Sequence, residues 1–113
     1  MALETSVDRS GDVIIVHIAG SVDGLTAGDL QRVFSSEVEA GHHDLVADFG
    51  EVDYTSSAGL RVLLATLKQT RSQGGDLRLA APRSGVRKVL DLSGFTGILS
   101  VFETLDAAVK SFR

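Results

Sequence analysis

A chain of 113 residues, 43% hydrophobic and 23% charged, has the balance of one packed globular domain spanning residues 1–113 and is too short for two. A net charge of −4, from 11 Lys plus Arg against 15 Asp plus Glu, leaves no basic face for nucleic acid. The absence of Cys excludes disulfides, thiol catalysis and Cys-ligated zinc. No run approaches the roughly 20 apolar residues that a membrane-spanning helix needs, and Met1-Ala2-Leu3-Glu4 is neither basic nor a signal-peptide core. Cytoplasmic residence without membrane insertion is therefore expected.

In chain order, Leu3 to Val7 alternates and reads as an edge strand, Ser10-Gly11-Asp12 as a turn, and the β-branched run Asp12–Ile18 as a strand buried on both faces. These form a hairpin. Residues 26 to 38 read as a helix with Thr26 as N-cap, Asp29 in its first turn, and Leu30, Val33, Phe34 and Val38 at helical spacing. Asp44–Phe49 reads as a strand, and Gly50 to Ser56 as a polar turn. From Ser57 to about Ser72 runs the clearest helix, with Leu60, Leu63, Leu64 and Leu67 as its apolar stripe and Gly74-Gly75 as its stop. Asp76–Ala81 is a strand, Ser84–Leu92 a helix ended by Gly94, Ile98–Phe102 a strand, and Thr104–Phe112 a final helix capped by Thr104. The order β-β-α-β-α-β-α-β-α predicts an α/β fold: a mixed, mostly parallel sheet with an N-terminal hairpin strand and about four helices. In such sheets functional residues lie just past the C-terminal ends of strands.

The segment Val52 to Leu60, VDYTSSAGL, sets Thr55, Ser56 and Ser57 at the start of the strongest helix. N-capping explains one such serine, at about 1 kcal/mol. The same position also suits a phosphorylated serine, because free backbone N–H groups and the positive end of the helix dipole stabilise a phosphate. Ala58 and Gly59 leave the first turn uncluttered for a kinase, and Arg61 lies one turn beyond Ser57 on the same face. Ala58, Val62 and Ala65 fall off the leucine stripe by helical phase and are expected to be a partner-facing strip.

No other group forms a catalytic constellation. Asp23, Asp48 and Asp53 could suggest the acidic magnesium pocket of a phosphoaspartate receiver. However, the last strand ends in Val101-Phe102-Glu103 without the required Lys, and the opening hairpin disagrees with that topology. His42 and His43 are adjacent on a strand approach and point to opposite faces, and His17 sits inside a strand, so the histidines read as structural or surface residues. Ser57 has no His–acid pair nearby in sequence. Both a Gly-x-Ser-x-Gly elbow and a Gly-rich phosphate loop are missing. The reading is a non-enzyme with no cofactor and no metal.

The stretch Asp53 to Leu64, DYTSSAGLRVLL, resembles the signature of the STAS family, and specifically that of bacterial anti-sigma factor antagonists. Gly20-Ser21-Val22-Asp23, Leu45–Phe49 and Val86–Gly94 resemble the family's turn, central strand and third helix, so the likeness covers essentially the whole chain. The resemblance implies partner switching. The unphosphorylated antagonist binds an anti-sigma factor that is also a serine kinase of the histidine-kinase-like ATPase type. Phosphorylation then expels it, and a serine phosphatase resets the cycle. Aligned on Gly59-Leu60, the phosphoacceptor is Ser57, with Ser56 as second choice because it stands where well-studied members often carry Asp. By the same resemblance Asp23 helps form the partner surface, and Thr55, Ser56, Ala58, Gly59, Arg61 and Val62 are the other residues expected there. An alternative is a STAS adaptor subunit of a membrane lipid transporter, using the same surface without phosphorylation. A nucleotide-hydrolysing enzyme is a further alternative, disfavoured by the missing phosphate loop.

Overall fold

The computed structural model describes residues 3–113. Strands β1 (Glu4–Ser10) and β2 (Val13–Val22) form the expected antiparallel hairpin, turned at Gly11, whose φ of +60° suits a residue without a side chain. Then follow α1 (Ala27–Glu39), β3 (Asp44–Thr55), α2 (Ser57–Ser72), β4 (Asp76–Ala80), α3 (Ser84–Leu92), a single 3-10 turn (Phe95–Gly97), β5 (Val101–Phe102) and α4 (Leu105–Lys110). The sheet order is β1-β2-β3-β4-β5, with every pair after the hairpin parallel.

Side-chain alternation along β2 divides the core. Ile14, Val16 and Ile18 point to the face covered by α1, α2 and α3, where Leu30, Phe34, Leu63, Leu67, Val86 and Leu90 complete the main cluster. Val13 and Ile15 point to the other face, where Ala108 and Val109 of α4 meet Val46 and Ala80 in a smaller cluster. The bounds of α2 and α3 are those expected.

Three expectations are corrected. Gly50 to Thr55 is strand rather than turn. Its polar side chains are mostly exposed, but its backbone pairs with the second half of β2 (Ala19↔Glu51, Gly20↔Val52, Ser21↔Tyr54, Val22↔Thr55), and two register irregularities absorb the surplus residues of β3. The last strand shrinks to two residues, because the N–H groups of Ile98 and Leu99 bond to the Phe95 carbonyl in the 3-10 turn and Leu99 folds into the core. Helix α2 is also rotated from the expected phase: its buried residues are Gly59, Val62, Leu63, Thr66, Leu67 and Thr70, with Leu60 and Leu64 at the margins. Gly59 and β-branched Val62 let the helix lie close on the sheet. Thr70 can be buried because its hydroxyl donates back to its own helix, at 3.0 Å from the Thr66 and Leu67 carbonyls.

Candidate partner-binding site

The C-terminal ends of β2 and β3 meet the N-terminus of α2, and one backbone bond ties them: Ser56 N–H donates to the Val22 carbonyl at 2.8 Å. Ser56 is the N-cap of α2. Its backbone is extended (φ −97°, ψ 178°), its Oγ accepts from the Ala58 N–H at 3.2 Å, and its carbonyl accepts from Leu60 N–H at 3.0 Å. Ser57 is the first residue of the helix. It is exposed, and its hydroxyl makes no hydrogen bond to any described residue. The two serines thus divide the two roles open to them in the sequence: Ser56 holds the helix end together, and Ser57 stands free at the positive end of the dipole.

The exposed line of α2 continues from Ser57 through Arg61, Ala65 and Lys68, with Ala58 half-buried beside it. Arg61 makes no ion pair with a described residue and lies one turn below Ser57. Thr55, Gly59 and Val62, expected on the partner surface, are instead interior. Thr55 is buried beneath the helix end. A Cβ on Gly59 would stand 2.3 Å from Thr55 Oγ1 and 2.8 Å from Val22 Cγ1, so the glycine permits the close approach of α2 to β2. Val62 is 6% exposed and belongs to the main core, because the rotation of α2 turns it inward.

Asp23 follows β2 directly and closes the loop before α1. Its Oδ1 accepts from the N–H groups of Leu25 (2.9 Å) and Thr26 (3.2 Å), and its carbonyl accepts from Ala27 N–H at 2.8 Å. The Leu25 bond first, and then the Thr26 bonds, hold the carboxyl below the ordinary aspartate value. Thr26 does not cap α1 with its side chain, which corrects the sequence expectation. Its hydroxyl donates to the Ser21 carbonyl at 2.7 Å and accepts from Asp23 N–H at 2.9 Å, so it is committed to the loop, and the first helical N–H, that of Ala27, is taken by the Asp23 carbonyl.

The other acidic residues point elsewhere. Asp53 pairs with Arg83 at 2.7 Å, and Arg83 also donates to the Gly50 carbonyl at 3.1 Å, fastening the extension of β3 to the start of α3. Asp48 lies 2.6 Å from Nδ1 of His17, whose Nε2 lies 2.9 Å from Asp8, a bridge across β1, β2 and β3. Asp48 first, and Asp8 with it, hold the imidazole above its ordinary value against an opposing effect of burial. Asp23, Asp48 and Asp53 therefore form no common pocket, and no group of three His, Asp or Glu among the described residues is arranged to hold a metal ion. None of the described helices is long and apolar enough to cross a membrane.

Sequence reasoning missed the His17 bridge, although the hairpin turn at Gly11 was enough to bring Asp8 beside β2. It also passed over Leu25, whose only signal was an apolar residue inside a turn.

Comparison with known proteins agrees with this fold. The family model of the STAS domain matches residues 4–108. BtrV of Bordetella bronchiseptica, assigned by its name to the anti-sigma factor antagonists, is 34% identical over 98% of this chain and 96% of its own length. The anti-sigma-B factor antagonist of Bacillus subtilis is 28% identical over 97% of this chain and all of its own. A crystal structure of an anti-sigma factor antagonist from Mycobacterium paratuberculosis superposes with a TM-score of 0.89 at 27% identity, covering 96% of this chain and 92% of that one. The chain belongs to the STAS domain family.

Proposed function

We propose that this chain is an anti-sigma factor antagonist that works by partner switching. Unphosphorylated, it binds an anti-sigma factor that is also a serine kinase of the histidine-kinase-like ATPase type, and so frees a sigma factor. Phosphorylation of Ser57 expels it, and a serine phosphatase restores it. The observation that carries this reading is the division of labour at the start of α2: Ser56 is committed to the cap, while Ser57 is exposed with an unengaged hydroxyl. The names of its relatives supply the class of partner.

A phosphate on Ser57 brings roughly −1.5 to −2 charge to a helix N-terminus, which favours it, so the fold tolerates the modification. At the interface the same group opposes binding. It must be desolvated against a surface shaped for a hydroxyl, and it adds to the negative charge of Asp23 across the junction of β2 and α2. Asp53, held by Arg83, contributes less. Ser56, Ala58 and Arg61 on α2, with Asp23 next to Val22 at the end of β2, make up the rest of the proposed contact surface. The protein acts without a cofactor, without nucleic acid and in the cytoplasm.

The test is incubation with the kinase and ATP, followed by mapping of the modified residue by mass spectrometry. Modification at Ser57 supports the proposal. Modification confined to Ser56 or Thr55 overturns the site, and no modification favours the transporter-adaptor role.

A further inference from the structure

Among the large apolar side chains exposed on the described surface, Leu25 is extreme at 91%. A single exposed leucine is ordinary; the way this one is held is not. Residues 23–26 form a closed knot. The Leu25 N–H is fixed by Asp23 Oδ1, Asp23 N–H by Thr26 Oγ1, and the Thr26 hydroxyl by the Ser21 carbonyl. Thr26 is itself 5% exposed, so the knot is rooted in the interior. Leu25 is thus presented to solvent on a backbone that has already lost its freedom. Asp23 follows Val22, whose carbonyl receives the Ser56 N–H, so the knot borders the helix end that carries Ser57. Leu92, exposed to 79%, has no comparable position, because it closes α3 at the far end of that helix from Arg83 and the β3 extension.

We propose that Leu25 is an apolar anchor of this chain for the anti-sigma factor, entering an apolar pocket beside the partner's contact with Ser57, and that Asp23 is a positioning residue that holds it there. The inference rests on the partner-switching reading. Order set before binding removes an entropic cost of association, and a rigid apolar side chain next to a polar switch matches the pattern of an interface centre with few energetic residues. On this account Asp23 acts through its Oδ1 acceptor, and its charge is secondary. The family resemblance puts Asp23 on the partner surface; its hydrogen bonds to the Leu25 and Thr26 N–H groups give it the further task of holding Leu25.

The experiment measures calorimetric affinity for the purified anti-sigma factor kinase that phosphorylates this chain, using the wild type, Leu25→Ala, Asp23→Ala, Asp23→Asn, Ser57→Ala and Ser57→Asp. Thermal melts and light scattering accompany each. Leu25→Ala is expected to weaken binding roughly tenfold or more with an unchanged melting temperature. Asp23→Ala is expected to follow it, and Asp23→Asn, which keeps an oxygen acceptor at the same place, to stay within about threefold of wild type. Wild-type binding by Leu25→Ala, alongside weak binding by Ser57→Asp, overturns the anchor and leaves partner switching intact. Equal loss in Asp23→Asn and Asp23→Ala overturns the positioning role. A change of oligomeric state in Leu25→Ala assigns the leucine to a self-contact and overturns the proposal. Failure of wild type and Ser57→Ala alike to bind the kinase overturns the partner-switching reading, and the anchor with it.

Discussion

Replacing Ser56 and Ser57 one at a time by Ala separates the two roles that the structure divides between them. Ser56→Ala removes the Oγ that accepts from Ala58 N–H and leaves that donor without its cap. The loss of such a cap costs about 1 kcal/mol. An unfolding entropy of about 2.1 cal/mol/K per residue, applied to a chain of this length, gives about 0.24 kcal/mol/K and hence a fall in Tm of about 4 °C. Ser57→Ala removes an exposed hydroxyl without a partner and puts the best helix former in the first turn, so its Tm is expected to hold or to rise by up to about 2 °C. Ser56→Asp restores an acceptor at the cap and is expected to melt near wild type. Differential scanning calorimetry at neutral pH measures all three, and kinase labelling measures the other half of the division: retained in Ser56→Ala, absent in Ser57→Ala. A larger loss of stability in Ser57→Ala than in Ser56→Ala would refute the assignment of the cap, and with it the reason for regarding Ser57 as the free hydroxyl.

Val62→Glu places a carboxylate in the main core and is expected to cost roughly 3–5 kcal/mol, read as a collapse of the cooperative melt by circular dichroism; a variant that folds normally would return Val62 to the surface. Thr66 Oγ1 is buried with no hydrogen-bond partner among the described residues, so Thr66→Val is expected to gain about 1 kcal/mol in urea unfolding, and a loss instead would reveal a partner for the hydroxyl. The His17 imidazole has a raised folded-state pKa, so the stability it contributes through Asp48 and Asp8 is fully present below the ordinary value of 6.5 and disappears as pH rises through the folded value. Wild type should therefore lose its Tm advantage over His17→Gln as pH rises above 6.5 and through the raised folded-state value, whereas a difference that stays constant with pH would remove the charged bridge from the account.

The amino-acid sequence determined what local chemistry can determine. The start of α2 follows from its capping serine, the ends of α2 and α3 follow from glycine stops a few positions on, and the hairpin follows from a turn signal between two short apolar runs. The order of elements then leaves few ways to wind a parallel sheet with helical crossovers. The STAS likeness of DYTSSAGLRVLL was legible too, since it lies in one unbroken stretch at the start of a helix.

Tertiary structure decided everything that depends on which neighbour lies opposite. Gly50 to Thr55 looks like a turn by composition and becomes strand because β2 runs on beside it and accepts its backbone. The phase of α2 could not be read from its leucines. Gly59 lies against Val22 and Thr55 because only a residue without a side chain fits there, and that close approach buries Val62 on the same side and outweighs the larger apolar area of Leu60 and Leu64. Two adjacent serines are equivalent by residue type, and one backbone turn makes Ser56 the cap and leaves Ser57 in solvent. Asp23 is a turn residue in either view, but its hold on Leu25 exists only once Thr26 is anchored to Ser21. Hydrophobic periodicity records how much of a helix is buried, and the direction it faces is set by the shape of what it is buried against.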